Sequence, residues 1–172
     1  MRIISGKYKG RKLKGFDIEG TRPTMDRVKE SLFAMIQTKI NDAKVLDLFA
    51  GSGALGLEAL SNGAQKVYLI DKNEEAIKAL KYNSQNMENV HILKVDYKKY
   101  LKETNETFDI IFLDPPYKDN LMNKSLKIIN ERNLLNEGGI IICEYEEGYL
   151  ETNLTIWKER KYGSKNIKIL IK

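Results

Sequence analysis

The chain has 172 residues, of which 42% are hydrophobic and 31% charged, and a net charge of +5, as expected of one globular domain with a substantial core. No apolar run approaches the roughly 18 residues that span a bilayer, and the start carries no secretory signal pattern. A single cysteine, Cys143, excludes an intrachain disulfide, and with His91 as its lone histidine partner the chain offers no zinc set, so no metal and a reducing cytoplasm are expected.

Arg2–Ser5 and Arg11–Phe16 flank the turn-like KYKG and are expected to pair as a small basic hairpin. Thr24 reads as the N-cap of a helix running to about Thr38, with Val28, Leu32, Met35 and Ile36 on one face. From Lys44 onward, short apolar runs alternate with helical stretches. Strands are expected at Val45–Phe49, Val67–Asp71, Val90–Val95, Phe108–Leu113 and Ile140–Tyr145. Helices are expected at Leu55–Asn62, about Glu74–Asn86 and roughly Leu121–Asn133. Strands separated by helices imply right-handed crossovers and a parallel sheet covered on both faces. VLDLF and DIIFL, apolar without alternation, suit its centre.

The last two apolar runs, Leu154–Arg160 and Ile167–Ile171, are joined across KYGSK with no room for a helix, so they should pair antiparallel. Five parallel strands followed by a hairpin outline an α/β, Rossmann-like, doubly wound fold of the class I methyltransferase type. Its sheet is mostly parallel and seven-stranded, with a C-terminal antiparallel hairpin. Residues 1–172 read as one domain, in which the basic extension 1–43 packs on the core 44–172. His91 reads as a strand side chain, Cys143 as a core residue and Trp157 as hairpin packing.

Charge is unevenly spread. Residues 1–16 hold six bases and no acid, residues 158–172 six bases and one acid, and the stretch between is net −6. Cationic ends on an anionic body fit either a polyanion partner, nucleic acid foremost, or an ordinary solvated lysine-rich surface.

Gly51, Gly53 and Gly56 in LDLFAGSGALGLEAL form GxGxxG between a strand and a helix, and Asp71 follows twenty residues later at the end of the next strand. Glycine allows a tight turn and close approach of backbone to ligand, and the acid suits a ribose hydroxyl pair. Asp47 and the bulky Phe49 stand just upstream. A carboxylate there opposes a diphosphate and suits an ammonium and a sulfonium, which points to S-adenosylmethionine; Asp47 as a cap on loop amides is the other reading. Asp96, ending the third strand, is either an acceptor for an adenine amino group or the N-cap of a short helix Tyr97–Leu101. The candidate cofactor set is therefore Asp47, Phe49, Gly51, Ser52, Gly53, Asp71 and Asp96.

FDIIFLDPPY places Asp114, Pro115, Pro116 and Tyr117 just past a buried strand, at the carboxyl edge where open α/β sheets bind ligands. Two of the chain's three prolines stand side by side here. Proline removes a donor and fixes φ, leaving a rigid turn with outward carbonyls. An amine on a heteroaromatic ring is a poor nucleophile. The Asp114 carboxylate and Pro115 carbonyl would hold both its hydrogens, and Tyr117 would stack on the ring. The bland reading is a strand-ending Asp-Pro turn.

Across nearly its whole length the chain resembles the RsmD-type ribosomal RNA methyltransferases. The resemblance is carried by MRIISGKYKGRKL, TRPTMDRVKESLF, LDLFAGSGALGLEALSNGA, LDPPY and YGSKNIKIL. It implies S-adenosylmethionine held by Gly51, Gly53 and Asp71, a catalytic turn at Asp114–Tyr117, and Arg22 and Thr24 near the mouth. The implied substrate is a guanine N2, at position 966 of bacterial 16S ribosomal RNA, within a small-subunit assembly particle. RNA contacts are expected from Lys7, Lys9, Arg11, Lys12 and Arg22, and a cytoplasmic monomer is expected. Rival readings are a DNA or RNA adenine-N6 methyltransferase, which uses a similar turn, and a non-catalytic RNA-binding ribosome-assembly factor.

Overall fold

The computed structural model describes residues 1–15, 22–116, 119–146 and 148–172. Twelve elements follow in chain order: α1 (Arg22–Ile40), β1 (Lys44–Asp47), α2 (Ala54–Ser61), β2 (Lys66–Asp71), α3 (Glu74–Asn83), β3 (Val90–Lys94), α4 (Tyr97–Glu103), β4 (Phe108–Leu113), α5 (Leu121–Glu131), β5 (Leu135–Tyr145), β6 (Thr155–Tyr162) and β7 (Lys165–Ile171). The seven strands form one sheet in the order β3-β2-β1-β4-β5-β7-β6. Neighbours from β3 to β5 pair parallel, whereas β7 runs antiparallel to both β5 and β6. No helix among the described residues is long and apolar enough to cross a membrane.

Strand alternation sorts the interior into two layers. Val45, Val67, Leu69, Ile110, Phe112, Ile140, Ile142, Ile167 and Ile169 face α1, α2 and α3. Leu46, Tyr68, Ile70, Ile111, Leu113, Ile141 and Cys143 face α4 and α5. Both faces are therefore dry, which is why β1 and β4 lack polar alternation.

Three expectations are corrected in detail. Helix α1 begins at Arg22, so Thr24 lies in its first turn and does not cap it; Pro23 suits that first turn because its missing donor has no intrahelical partner there. β5 starts at Leu135, five residues early. Gly138 (φ 72°) and Gly139, whose Cβ would fall 2.7 Å from the Asn136 carbonyl oxygen, carry the strand through an irregular stretch that shifts register between Phe108 and Ile110. The N-terminal hairpin reduces to one antiparallel bridge, Arg2 to Lys12, closed by Ile3 N–H to the Arg11 carbonyl at 2.9 Å and Leu13 N–H to the Met1 carbonyl at 3.0 Å.

Four further backbone donors of that segment, those of Ile4, Ser5, Lys7 and Tyr8, go to α2 instead of to a second strand. The Glu58 carboxylate, 1% exposed, accepts from Ile4 N–H (2.9 Å), Ser5 N–H (2.9 Å), Ser5 Oγ (3.0 Å) and Lys29 Nζ (2.9 Å). Lys29 also donates to the Arg2 carbonyl at 2.6 Å. Gly6, at φ 78°, passes so near the end of α2 that a Cβ would lie 1.8 Å from the Ser61 carbonyl oxygen. The C-terminal hairpin turns on Gly163–Ser164, with Tyr162 paired to Lys165 and Gly163 at φ 59°, as a two-residue turn with glycine first requires.

Candidate active site

The carboxyl ends of β1, β2, β4 and β5 meet at one edge, and parity along each strand turns Asp47, Asp71 and Glu144 to the face of α2 and α3. Asp114, two residues beyond Phe112, keeps the same parity. An acidic row thus lines the edge where the glycine loop leaves β1.

The loop is built as its glycines require. Gly51 (φ 54°) donates its N–H to Asp71 Oδ2 at 2.9 Å, and among the described residues none beyond its chain neighbours comes within 4 Å of where its Cβ would stand. Gly53 (φ 82°) closes the turn through its N–H to the Ala50 carbonyl at 2.7 Å and starts α2 without a side-chain cap. Gly56 packs helix on strand, since a Cβ there would meet Leu69 Cδ2 at 2.3 Å. Its N–H donates to Asp47 Oδ2 at 3.0 Å, so the amide that Asp47 holds is in the first turn of α2. Asp71 accepts from both Gly51 and Asn73 (2.9 Å to Oδ1), joining the loop to the start of α3. Asp96 caps α4 by accepting from Lys98 N–H at 2.9 Å. Phe49 lies half-buried with its ring 5.3 Å from that of Tyr97.

Electrostatics favour a cation. Asp47, 2% exposed, is pushed up to about 7 by burial and then by Asp71, against the Gly56 hydrogen bond. A buried carboxyl with so few donors welcomes positive charge and repels a diphosphate. An ammonium–sulfonium cofactor therefore fits these residues, and the open side of Gly51 leaves room for it.

At the proline turn Asp114 is half-buried, Pro115 buried and Pro116 exposed, whereas Tyr117 lies outside the described residues. Burial, then Glu144, then Asp47 push the Asp114 carboxyl up to about 7, and Lys165 opposes them. Glu144 itself pairs with the Lys165 ammonium. The sequence reading missed both Glu144 and Lys165.

It also missed Asn83, 1% exposed in α3, whose Nδ2 donates to the carbonyls of Lys14 (2.7 Å) and Ser52 (2.8 Å) while Oδ1 accepts from Lys14 N–H (2.8 Å). Ser52 Oγ touches Met1 Sδ at 3.6 Å. The N-terminal segment is thereby tied to the glycine loop. Lys7, Lys9 and Lys12 are exposed on it, but the Arg11 guanidinium is turned to the Gln85 carbonyl at 2.6 Å. The Arg22 side chain lies outside the described residues.

Residues 1–171 match a family model described as Conserved hypothetical protein 95. A Haemophilus influenzae protein named Ribosomal RNA small subunit methyltransferase D is 37% identical over 172 residues, covering 95% of this chain and 89% of that one. Its Escherichia coli namesake is 36% identical over 169 residues, covering 95% and 85%. The chain belongs to the RsmD family. The solved Escherichia coli structure of yhhF superposes with a TM-score of 0.88 at 31% identity, over 99% of this chain and 96% of that chain.

Proposed function

We propose that this protein methylates small-subunit ribosomal RNA with S-adenosylmethionine, and that the acceptor is the exocyclic N2 of a guanine, the one at position 966. The observation that carries the reading is the acidic row on the glycine-loop face of the sheet edge, in which Asp114 of the Asp-Pro-Pro turn stands next to Asp47. The names of the relatives support ribosomal RNA as the substrate class.

Asp47, Asp71, Gly51 and Gly53 would hold the cofactor, which when bound supplies a methyl group activated by its sulfonium. The chain's own residues act on the nucleophile. Asp114 and the Pro115 carbonyl accept the two N2 hydrogens and aim the nitrogen, so that alignment carries most of the rate. With its carboxyl near 7, Asp114 is also suited to take the proton that the amine loses.

The test is methyl transfer to small-subunit particles lacking the modification, followed by mass spectrometry of the RNA. Asp114→Ala should keep cofactor affinity and lose turnover by roughly 100-fold or more. Transfer to a site other than guanine N2 overturns the assignment of the acceptor, and near-normal turnover of the variant overturns the role of Asp114.

A further inference from the structure

The chemistry above leaves the pair Glu144–Lys165 without a task, although it stands beside Asp114. In the sheet order β4-β5-β7, Asp114 follows β4, Glu144 lies at the carboxyl end of β5, and Lys165 opens β7 from the same edge. Leu113 is paired with Cys143 and Glu144 with Ile167, so the three side chains fall in adjacent columns. Parity with Ile142, Ile167 and Phe112 turns all three to one face. The Glu144 side chain is 12% exposed and that of Lys165 39%. Such a pair is a poor device for stability, because desolvation offsets most of the attraction.

A purine that reaches Asp114 must be unstacked, and an unstacked base is read on its Watson–Crick edge. Guanine offers there, in order, the N2 amine as donor, N1–H as donor and O6 as acceptor. The edge of the sheet offers carboxylate, carboxylate and ammonium in the same order. Resting on the guanine-N2 reading above, we propose that Glu144 accepts N1–H and Lys165 donates to O6 of the target base, so that this pair selects guanine. Adenine would set the lone pair of its N1 against the Glu144 carboxylate and an amine against the Lys165 ammonium. Both are repulsive contacts of the kind from which specificity is built.

The test uses assembled small-subunit particles whose RNA carries, at the methylated position, guanine, 2,6-diaminopurine or 2-aminopurine. All three keep the N2 amine. Diaminopurine presents an acceptor at N1 and an amine at C6, and 2-aminopurine lacks any group at C6. Wild-type protein should prefer guanine over diaminopurine by roughly 100-fold or more in kcat/KM. Glu144→Gln, whose amide is a weaker acceptor for guanine N1–H and can donate to a bare N1, should cut that preference at least tenfold by losing rate on guanine and gaining it on diaminopurine. Lys165→Met should lose rate on guanine and leave 2-aminopurine unchanged, and it tests the proposal even where Glu144→Gln does not fold. Equal loss on all three bases means that the pair only ties β5 to β7, which overturns the inference while leaving the guanine-N2 reading intact. A wild-type protein that does not methylate the guanine particle overturns both.

Discussion

Asn83 and Lys14 are joined twice through the backbone of one residue: the side-chain amide donates to the Lys14 carbonyl at 2.7 Å and accepts from the Lys14 N–H at 2.8 Å. The same Asn83 nitrogen also holds the Ser52 carbonyl at 2.8 Å, so one buried amide fixes both the glycine loop and the strand of chain that crosses it. Asn83→Ala leaves these groups without partners and should cost about 1–3 kcal/mol. That corresponds to a fall in Tm of several degrees at this length. Cofactor affinity should fall with it. Calorimetry on the variant checks both, and unchanged affinity would mean that the loop keeps its shape without the tie.

Glu58 gathers five donors from three parts of the chain, the Asn62 amide at 3.2 Å being the fifth. Glu58→Ala strands the ammonium of Lys29, which is 6% exposed, and frees the backbone of Ile4 and Ser5. Its expected cost is about 3–5 kcal/mol. Lys29→Met removes the buried cation yet leaves Glu58 four donors, so it should cost clearly less. Urea midpoints for the two variants decide the order; equal values would show that the N-terminal contacts contribute nothing.

Asp47 and Asp114 both stand near 7 in the folded chain against an ordinary 3.8. Between those values the folded state binds more protons than the unfolded one, so stability falls as pH rises. The contribution is fully present below about 3.8 and is lost as pH passes about 7. A bound cation favours ionised Asp47, and cofactor binding near pH 7 should therefore release protons. Titration in two buffers of different ionisation enthalpy measures the release, which Asp47→Asn should reduce. Proton uptake by the wild type would contradict the sign.

The exposed cations of the N-terminal segment give a test of the RNA face. Charge reversal of Lys7, Lys9 and Lys12 should weaken binding to ribosomal RNA and flatten its salt dependence, by roughly one unit of slope per lost phosphate contact. Arg11 is left out because its guanidinium already serves the Gln85 carbonyl. Cofactor affinity should not change. An unaltered salt slope removes this segment from the RNA site.

The central fold was legible because β1 and β4 are apolar on both faces and the glycines mark where each turn must fall. Asp71 and the glycine loop were legible because strand, turn, helix and acid stand at fixed spacing. The N-terminal hairpin was misjudged because the backbone donors of Ile4 and Ser5 go to Glu58, which in the sequence is the one acid of a short helix. Asn83 was invisible for the same reason: a polar residue near a helix end reads as a cap until its long-range partners are known. Glu144 and Lys165 lie 21 residues apart, and only the insertion of β7 beside β5 makes them neighbours.

That insertion also orders events in time. β7 follows β6 in the chain but lies inside it in the sheet, so the flank of β5 from Ile140 to Tyr145 stays an open edge until the last strand docks. Open edges recruit other chains, and synthesis delivers the N-terminal elements first. The nascent protein therefore carries its glycine loop early, while the flank beside Asp114 still lacks its lysine. Arrival of Lys165 beside Glu144 and burial of the sticky edge are one and the same closing step.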